Sequence, residues 1–420
     1  MVISAKRAVV RAGLLTLAVA ALTVPLIDAA SAATPARRNA LGSDGPLQMQ
    51  GAAQRARVVS PEIHPDRRVT VRLNAPNARE VRLTGQLIGN DLGHYLSTQK
   101  YLPMTRDANG VWSVTVGPLE PNIYEYAFTV DGLAVNDPQN AGNAVEVSGP
   151  TPAYYDTQDV PHGTVRMEIY TSPIFRQPRY VWVYTPPGYD ESRDRYPVLY
   201  MTHGSNCCES TWVQRGRANI ILDNLIAQGK AKPMILAMPL TARSGGSEAM
   251  GPNPQHLANA PPPFADPAAQ TNYARNNLFE QDLRANMIPW IDRKFRTIPN
   301  ADNRGFTGLS QGGIQSFNIG LHNPDLFHWV APQSAGAENQ GDEQFAEMLK
   351  DVYPNTQSLN QLKLLYITVG DEDVLYEASK RVADRLQARG VKLSFVPVPG
   401  RHQMSVWRRG FYDLAQIIFK

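Results

Sequence analysis

The pattern of hydrophobic residues changes between residues 150 and 163, and this change limits the possible fold more than any other feature of the sequence. From about Ser60 to Pro150, segments such as RRVTVRLNAP and GVWSVTVGPL alternate apolar and polar residues, with turn formers between them. After Gly163, short apolar strands such as YPVLYMTHG and PMILAMPL alternate with helix-length amphipathic segments. The first pattern predicts an antiparallel, immunoglobulin-like β-sandwich, and the second predicts an α/β domain with a mostly parallel sheet.

These patterns also predict how the chain is divided. A length of 420 residues, of which 43% are hydrophobic, is enough for two separate cores. The predicted order is a signal peptide (1–32), a flexible lead-in (33–58), the sandwich (59–150), a linker (151–162) and the α/β domain (163–420).

The first 32 residues have the three parts of a signal peptide. Basic residues at Lys6, Arg7 and Arg11 precede the apolar run AGLLTLAVAALTVPLI, and Ala30-Ser31-Ala32 supplies small residues for cleavage. A membrane anchor is the alternative, but the apolar run is short for a span. The pattern predicts a secreted or periplasmic protein, and no later segment has the length and apolarity of a membrane span.

Charge and cysteine content limit the functions and sites that are expected. The formal net charge is +3, and no Lys/Arg cluster has interleaved aromatic residues, so nucleic-acid binding is not expected. The only two cysteines, Cys207 and Cys208, are adjacent. They could form a vicinal disulfide, remain thiols or link two chains, and no metal site is expected. The oligomeric state stays open.

The stretch RGFTGLSQGGIQSF contains the most informative motif. Gly308-Leu309-Ser310-Gln311-Gly312 fits G-x-S-x-G between an apolar strand and a helix. In this setting a sharp turn exposes the serine hydroxyl above the sheet, and the glycines allow neighbouring backbone to pass close by. Ser310 is therefore the predicted nucleophile.

A nucleophilic serine needs a base and an orienting acid, and both follow it in the chain. The strand LKLLYITVG runs into Asp371, Glu372 and Asp373, and a later strand, FVPVPGRH, ends at His402. The order Ser, Asp, His is that of the α/β-hydrolases. His402 is the predicted base, and Asp373 is preferred to Asp371 as the acid because the apolar pair Val374-Leu375 should turn it inward.

Two backbone N–H groups should stabilise the oxyanion. One is expected from Gln311, and the other from the loop THGSNCCESTW, with Ser205 as first choice and Asn206 as second. His203, in the same loop, is expected to be structural or to shape that loop.

Two further segments bear on substrate binding. Residues 241–277 form a long Gly/Pro/Ala/Asn-rich insertion, which we expect to help wall the substrate pocket. In the sandwich, Trp112, Tyr124 and Tyr126 could form a sugar platform, but on alternating strands they are expected to pack in the core.

At this point the sequence resembles a known family. GLSQGG, GDEDVLYEASKRVADRLQARG and PGRHQMSVWRRGFYDLA are similar to the esterase-D-like members of carbohydrate esterase family 1, the feruloyl and acetylxylan esterases. VTVRLNAPNAREVRLTG and NIYEYAFTVDG resemble the early-set sandwich modules of isoamylase-type enzymes. The resemblance implies an exported serine carboxylesterase that hydrolyses feruloyl or acetyl esters of plant polysaccharide or oligosaccharide without a cofactor.

Alternatives to this esterase function remain open. A siderophore trilactone esterase or an acyltransferase could use the same triad, whereas the Ser, Asp, His order argues against a non-catalytic binding protein. The chain also departs from the family's pattern: Gln311 stands where Met is usual, Arg401 replaces a glycine and Met404 replaces a tryptophan. Met404 and Trp407 are predicted to contact the substrate, and the acyl pocket is expected to differ from the family's usual one.

Overall fold

The computed structural model describes residues 58–90, 100–140, 142–205, 208–241, 278–336 and 349–420. The predicted signal peptide, nearly all of the lead-in and almost the whole long insertion lie outside these residues. Within the described residues, no helix is both long enough and apolar enough to cross a bilayer.

The first part of the described chain is a sandwich of two β-sheets. One sheet has the strand order β1-β2-β6-β5, and the other has the order β4-β3-β7-β8 with β9 paired to β7. The strands are β1 (Glu62–Ile63), β2 (Val69–Asn74), β3 (Val81–Gly85), β4 (Leu102–Pro103), β5 (Thr105–Arg106), β6 (Val111–Val116), β7 (Asn122–Val130), β8 (Leu133–Val135) and β9 (Ala144–Val147).

The alternation in these strands builds the sandwich core. On β2 and β3, Val69, Val71, Val81 and Leu83 are fully buried, and they pack with Phe128 of β7 between the sheets. Trp112 and Tyr126 are buried in the same cluster, which confirms that they pack in the core. Neither ring offers an open face for a sugar.

The second part of the described chain contains a mixed sheet of eight strands in the order β10-β11-β13-β12-β14-β15-β16-β17. Strands β12 to β17 pair in parallel, while β10 and β11 form an antiparallel edge. The strands are β10 (Thr164–Ser172), β11 (Gln177–Thr185), β12 (Val198–Thr202), β13 (Ile235–Pro239), β14 (Arg304–Leu309), β15 (Trp329–Gln333), β16 (Leu364–Gly370) and β17 (Ser394–Val398).

Helices cover both faces of this sheet, and each face has its own apolar core. The helices are α1 (Thr211–Gln214), α2 (Ala218–Ala227), α3 (Leu278–Asp282), α4 (Ile288–Lys294), α5 (Gln311–His322), α6 (Tyr376–Gln387) and α7 (Met404–Ala415). A short π-helical stretch, Leu283–Met287, joins α3 to α4, and 3₁₀ turns cover Gln86–Ile88, Ala301–Asn303 and Tyr353–Gln361. Fully buried strands such as β12 and β13 read as continuous apolar runs because neither face is solvated.

The sandwich contacts the α/β part directly. Glu146 of β9 forms an ion pair with Arg217 at 2.6 Å, and Asn122 of β7 accepts a hydrogen bond of 3.2 Å from Arg408 of α7. Near the carboxyl end of β17, an Arg401 nitrogen donates to the Gly89 carbonyl at 3.3 Å. An α/β-hydrolase domain preceded by an immunoglobulin-like sandwich, as predicted, is the fold of the described chain.

Candidate active site

Ser310 lies at the sharp turn between β14 and α5. The strand ends at Leu309 and the helix begins at Gln311, so Ser310 is the single residue between strand and helix. Its φ of 54° and ψ of −116° lie outside the regions that L-residues normally occupy. The Ser310 N–H donates to the Gln333 carbonyl at 3.0 Å, which ties the turn to the end of β15.

The outer glycines of the motif are required by close packing around this turn. A Cβ added to Gly308 would lie 2.2 Å from Thr202 Oγ1, and one added to Gly312 would lie 2.6 Å from the Thr202 carbonyl oxygen. Both distances are shorter than any side chain tolerates. The motif therefore serves to bring the end of β12 and its following loop against the turn that carries Ser310.

The three side chains predicted to form a triad are joined by hydrogen bonds. His402 Nε2 lies 3.0 Å from Ser310 Oγ, and His402 Nδ1 lies 3.0 Å from each oxygen of the Asp373 carboxylate. A neutral imidazole with its proton on Nδ1 donates to Asp373 and accepts from the Ser310 hydroxyl. This arrangement can remove a proton from the serine and keep the resulting imidazolium beside a carboxylate.

Asp373 lies in a buried, hydrogen-bonded position just beyond β16. Its residue is 5% exposed, and the Leu375 N–H donates to its Oδ1 at 2.8 Å. Burial on its own raises the pKa of the Asp373 carboxyl. The hydrogen bonds with His402 and the Leu375 N–H outweigh burial, so the pKa lies below its ordinary value and the carboxylate stays ionised.

The neighbouring acid has a different setting. Asp371 is exposed and accepts the Gly400 N–H at 2.9 Å, so it holds the loop before His402 from the outside. The expected inward turn of Val374 and Leu375 is right for Leu375, which is buried, and wrong for Val374, which is 40% exposed. A backbone hydrogen bond, more than an apolar pair, orients Asp373.

The two residues predicted to supply the oxyanion donors lie in the helix that follows Ser310 and in the loop that follows β12. Gln311 is the first residue of α5, where backbone N–H groups point out of the helix and carry its positive end. A Cβ added to Gly204 would lie 3.4 Å from Ser310 Cβ, which brings the loop containing Ser205 next to the nucleophile. Ser205 is exposed, and Asn206 lies outside the described residues.

His203 is a buried residue that forms hydrogen bonds with this loop and with Thr241. Its Nδ1 lies 2.8 Å from the Gly204 carbonyl, and its Nε2 lies 3.1 Å from the Thr241 backbone nitrogen. Burial lowers the pKa of His203 to about 4. A neutral ring that donates from Nδ1 and accepts at Nε2 fits both contacts, so its setting is that of a structural residue.

The two residues predicted to contact substrate are buried in α7. Met404 is 4% exposed and Trp407 is 3% exposed, so each offers little surface to a ligand. The Trp407 and His402 rings contact each other in a T-shaped arrangement, with 4.9 Å between ring centroids and 86° between planes. As substrate contacts, both remain predictions.

The structure adds a residue that the sequence reasoning missed. Ser334 follows β15 directly, is fully buried and has a φ of 47°. Its Oγ accepts a hydrogen bond of 2.9 Å from Trp407 Nε1, and the Trp407 ring packs against His402. The available signal was a polar residue at the carboxyl end of an apolar strand, next to the strand that carries the nucleophile.

One of the two adjacent cysteines can be described. Cys208 is buried, and its Sγ lies 3.4 Å from Ser210 Oγ and 3.6 Å from Thr211 Oγ1. The three states considered for the cysteine pair therefore remain predictions. Cys207 lies outside the described residues.

Comparisons with family models cover most of the chain. The Esterase family model, described as "Putative esterase", matches residues 172–416, and the model of carbohydrate-binding module 48, the isoamylase N-terminal domain, matches residues 59–148. An "endo-1,4-beta-xylanase/feruloyl esterase" from Xylanibacter ruminicola is 29% identical over 364 residues. The match covers 83% of this chain and 44% of the relative, so the chain spans less than half of that relative's length.

Solved structures show the same fold. A CE1 ferulic acid esterase from Anaeromyces mucronatus, 24% identical, superimposes with a TM-score of 0.50 over 63% of this chain and 94% of its own. The enterobactin esterase from Shigella flexneri, 17% identical, gives 0.59 over 83% of this chain and 93% of its own. With the match of the family model over more than half of its length, the chain belongs to the Esterase family, and the residues before its α/β domain match the model of carbohydrate-binding module 48.

Proposed function

We propose that this protein hydrolyses carboxylic esters through an acyl-enzyme, with Ser310 as nucleophile, His402 as general base and Asp373 as the orienting acid. The observation that carries the proposal is the pair of 3.0 Å contacts that the His402 ring makes, one to Ser310 Oγ and one to the Asp373 carboxylate. A serine, an imidazole and a buried carboxylate in this order and geometry have a well-defined chemistry.

In the first half of the reaction, Ser310 Oγ attacks the ester carbonyl while His402 Nε2 takes the hydroxyl proton. The carbonyl oxygen becomes an oxyanion, and we assign its stabilisation to the backbone N–H groups of Gln311 and Ser205. Asp373 accepts a hydrogen bond from the His402 Nδ1–H throughout and stabilises the imidazolium. The imidazolium then gives its Nε2 proton to the departing alkoxide, and the acyl group remains on Ser310.

In the second half, water replaces the alcohol. His402 takes a proton from the water molecule, whose oxygen attacks the acyl carbonyl, and the same two N–H groups receive the second oxyanion. Collapse of this intermediate breaks the bond to Ser310 Oγ, which regains its proton from His402. The reaction releases a carboxylic acid and restores the enzyme.

For the substrate, we propose feruloyl or acetyl esters of plant polysaccharide or oligosaccharide. The support is the xylanase/feruloyl esterase relative, whose similarity runs through both the sandwich and the catalytic domain of this chain. The signal-peptide pattern of residues 1–32 supports export to the compartment where such polymers occur. The same proposal includes the domain limits that the pattern of hydrophobic residues predicts.

The experiment that tests this function measures ferulate release from methyl ferulate, with Ser310→Ala and a small acetyl ester run beside it. We expect release by the wild-type protein, and we expect the variant to lose nearly all of it, because the acyl acceptor is gone. Hydrolysis of the acetyl ester alone, lost in the variant, would keep the mechanism and move the substrate to acetylated glycans. Activity that survives Ser310→Ala would overturn the triad assignment.

A second candidate is the hydrolysis of a siderophore trilactone. The superposition with the enterobactin esterase spans 83% of this chain, a larger share than the 63% spanned with the ferulic acid esterase. At such low sequence identity this likeness concerns the fold. Rates of hydrolysis of enterobactin and methyl ferulate, measured at equal concentration, separate the siderophore esterase from the feruloyl esterase. Transfer of the acyl group to added alcohol or sugar would instead indicate an acyltransferase.

A further inference from the structure

The first strand of the catalytic sheet, β10, is nine residues long and has a free edge. It lies at one end of the strand order, and within the part of the chain that the structure describes no strand pairs with its outer side. Its pairing with β11 runs without a bulge from Thr164, opposite Thr185, to Ser172, opposite Gln177. The strand contains neither Pro nor Gly. A long, regular edge strand of this kind is a template for pairing with another strand.

Two apolar side chains of β10 are exposed to solvent. Met167 is 54% exposed and Ile169 is 51% exposed, and both lie on the same face of the strand because they are two positions apart. Val165, on that face as well, packs partly against the core that contains residues of α2 and α7. Single exposed apolar residues are common on protein surfaces. Two neighbours on a free edge strand, however, form a surface that a paired strand would contact.

The charged residues of β10 lie on the opposite face, one on each side of Met167 along the strand. Arg166 forms an ion pair of 2.6 Å with Asp190, and Glu168 forms an ion pair with Lys294 of α4. The outer members of these pairs, Asp190 and Lys294, have exposed side chains. The strand thus carries a positive and a negative group at equal distances from Met167.

This arrangement of charges is complementary to itself. In a dimer with two-fold symmetry, an edge strand can pair with its own copy in antiparallel orientation, and each contact between two residues then occurs twice. With the two-fold axis at Met167, Arg166 of each chain lies opposite Glu168 of the other. On the other face, Val165 of each chain lies opposite Ile169 of the other. Opposite charges and apolar pairs placed directly across two strands both stabilise the pairing.

The neighbouring registers of the same strand pair are less favourable. An axis at Arg166 would place the two Arg166 side chains opposite each other, and an axis at Glu168 would place the two Glu168 side chains opposite each other. Parallel pairing in register would place every charge opposite its like. Like charges directly across two strands destabilise the pairing. The charges of β10 therefore favour the antiparallel register centred on Met167.

From this geometry we infer that β10 is a dimerisation surface, and that its partner is β10 of a second copy of this chain, paired antiparallel about Met167. The two eight-stranded sheets then continue into each other across the two-fold axis. The ion pairs join into a row of alternating sign, formed by Asp190 and Arg166 of one chain with Glu168 and Lys294 of the other. The inference does not rest on the proposed function, because three strands separate β10 from β14, the strand that precedes the proposed nucleophile.

The first test measures molar mass by size-exclusion chromatography with light scattering, over a range of protein concentrations. We expect the wild-type protein to have twice the mass of one chain. Met167→Lys places two like charges opposite each other at the axis, so we expect this variant to be monomeric at the same concentrations. Leu133→Lys is the matched control and should stay dimeric, because Leu133 is 73% exposed on β8, an edge strand of the sandwich. Far-UV circular dichroism checks that both variants fold.

A cross-linking experiment tests the register. In Met167→Cys the two new thiols face each other at the axis, and mild oxidation should give a disulfide-linked dimer. In Ile169→Cys each new thiol lies opposite Val165, about 13 Å along the strand from its counterpart, so this variant should not link. The wild-type chain, oxidised in parallel, shows any link that forms through Cys207 or Cys208. If Met167→Lys does not fold, the two cysteine variants decide the question alone.

Three results would overturn the inference. The first is a monomeric wild-type protein at every concentration. The second is a dimer that persists in Met167→Lys or is lost equally in Leu133→Lys, since its interface would then not be the edge of β10. The third is a disulfide-linked dimer of Ile169→Cys without one of Met167→Cys, because the strands would then pair in another register. None of these measurements uses ester hydrolysis, so they are independent of the test made with Ser310→Ala.

Discussion

At the scale of single residues, two aspartates two positions apart have opposite surroundings. Asp373 is buried and accepts bonds from His402 and the Leu375 N–H, whereas Asp371 is exposed and accepts one from the Gly400 N–H. A carboxylate can fix an imidazole tautomer only if its own orientation is fixed. The burial and the backbone bond give that property to Asp373.

This contrast gives a prediction for the acid. In Asp373→Asn we expect kcat to fall by about 10⁴-fold, as is typical when the acid of a Ser-His-Asp triad becomes an amide, because the amide favours the wrong imidazole tautomer. Asp371→Asn is the control; it keeps an oxygen for Gly400 and should stay within about threefold of wild type. Steady-state kinetics on the best ester from the substrate panel measures both. A large loss in Asp371→Asn with little in Asp373→Asn would exchange the two assignments.

At the scale of elements, the turn between β14 and α5 depends on the absence of side chains. A Cβ at Gly312 would lie 2.6 Å from the Thr202 carbonyl oxygen and 2.7 Å from that of His203. Both are backbone atoms, so neither can rotate away. Any relief must move the end of β12 or the turn that carries Ser310.

We therefore expect Gly312→Ala to destabilise the fold by about 2 kcal/mol, within the range for overpacking. We also expect it to lower kcat by about 10²-fold, since a shift of about 1 Å at a reacting group costs that much. Gly142→Ala is the control, because the nearest atom to its added Cβ is Asn140 Oδ1 at 3.7 Å. Urea unfolding and kcat are measured on both. Equal stability and equal kcat in the two variants would contradict the packing role of Gly312.

These elements could be predicted from the sequence because the residues that indicate each of them are close together along the chain. The G-x-S-x-G motif, the apolar strands and the order of Ser310, Asp373 and His402 can all be read along the chain, and the structure brings the three side chains together. Alternation likewise identified the sandwich and the burial of Trp112 and Tyr126. The assignment of roles to the triad remains a proposal.

What the sequence could not supply are contacts between distant segments. Ser334 and Trp407 are 73 positions apart, and nothing in the sequence near either residue specifies that their side chains form a hydrogen bond. The outward position of Val374 was missed for a related reason. The turn after β16 is set by the hydrogen bond from the Leu375 N–H to Asp373, which the pattern of apolar and polar residues does not predict. Burial of a single turn residue depends on what packs over it.

At the scale of the whole molecule, one arginine joins the sandwich to the catalytic domain. Arg408 of α7 is 1% exposed, and it donates to Asn122 Oδ1 of β7 at 3.2 Å and to the Arg215 carbonyl at 3.0 Å. Its guanidinium also lies 4.7 Å from the centre of the Tyr155 ring, in the predicted linker. A buried guanidinium is costly without such partners, so these contacts must form together.

Because Arg408 directly follows Trp407 on α7, and the Trp407 ring contacts His402, loss of the Arg408 contacts should loosen the sandwich from the helix that packs against the triad. In Arg408→Ala we expect a loss of about 2–4 kcal/mol in the free energy of unfolding, from the cavity and the unpaired Asn122 and Arg215 groups. We also expect faster amide hydrogen exchange in β7 and α7, measured by mass spectrometry. The change should be largest at these two elements, because they are the ones that the guanidinium connects.

The neighbouring Arg409→Ala is the control for this last experiment. Arg409 lies on the exposed side of the same helix, where its Nε pairs with Asp413 at 2.8 Å, and such a surface pair contributes at most about 1 kcal/mol. Its exchange pattern should match wild type in β7. If β7 in Arg408→Ala also exchanged at the wild-type rate, the sandwich would be held by its other contacts, of which the Arg217–Glu146 ion pair is the shortest charged one across the interface. Protection that falls in β7 and α7 together would show that the two domains are stabilised as one unit, since a contact confined to either domain would affect only that domain.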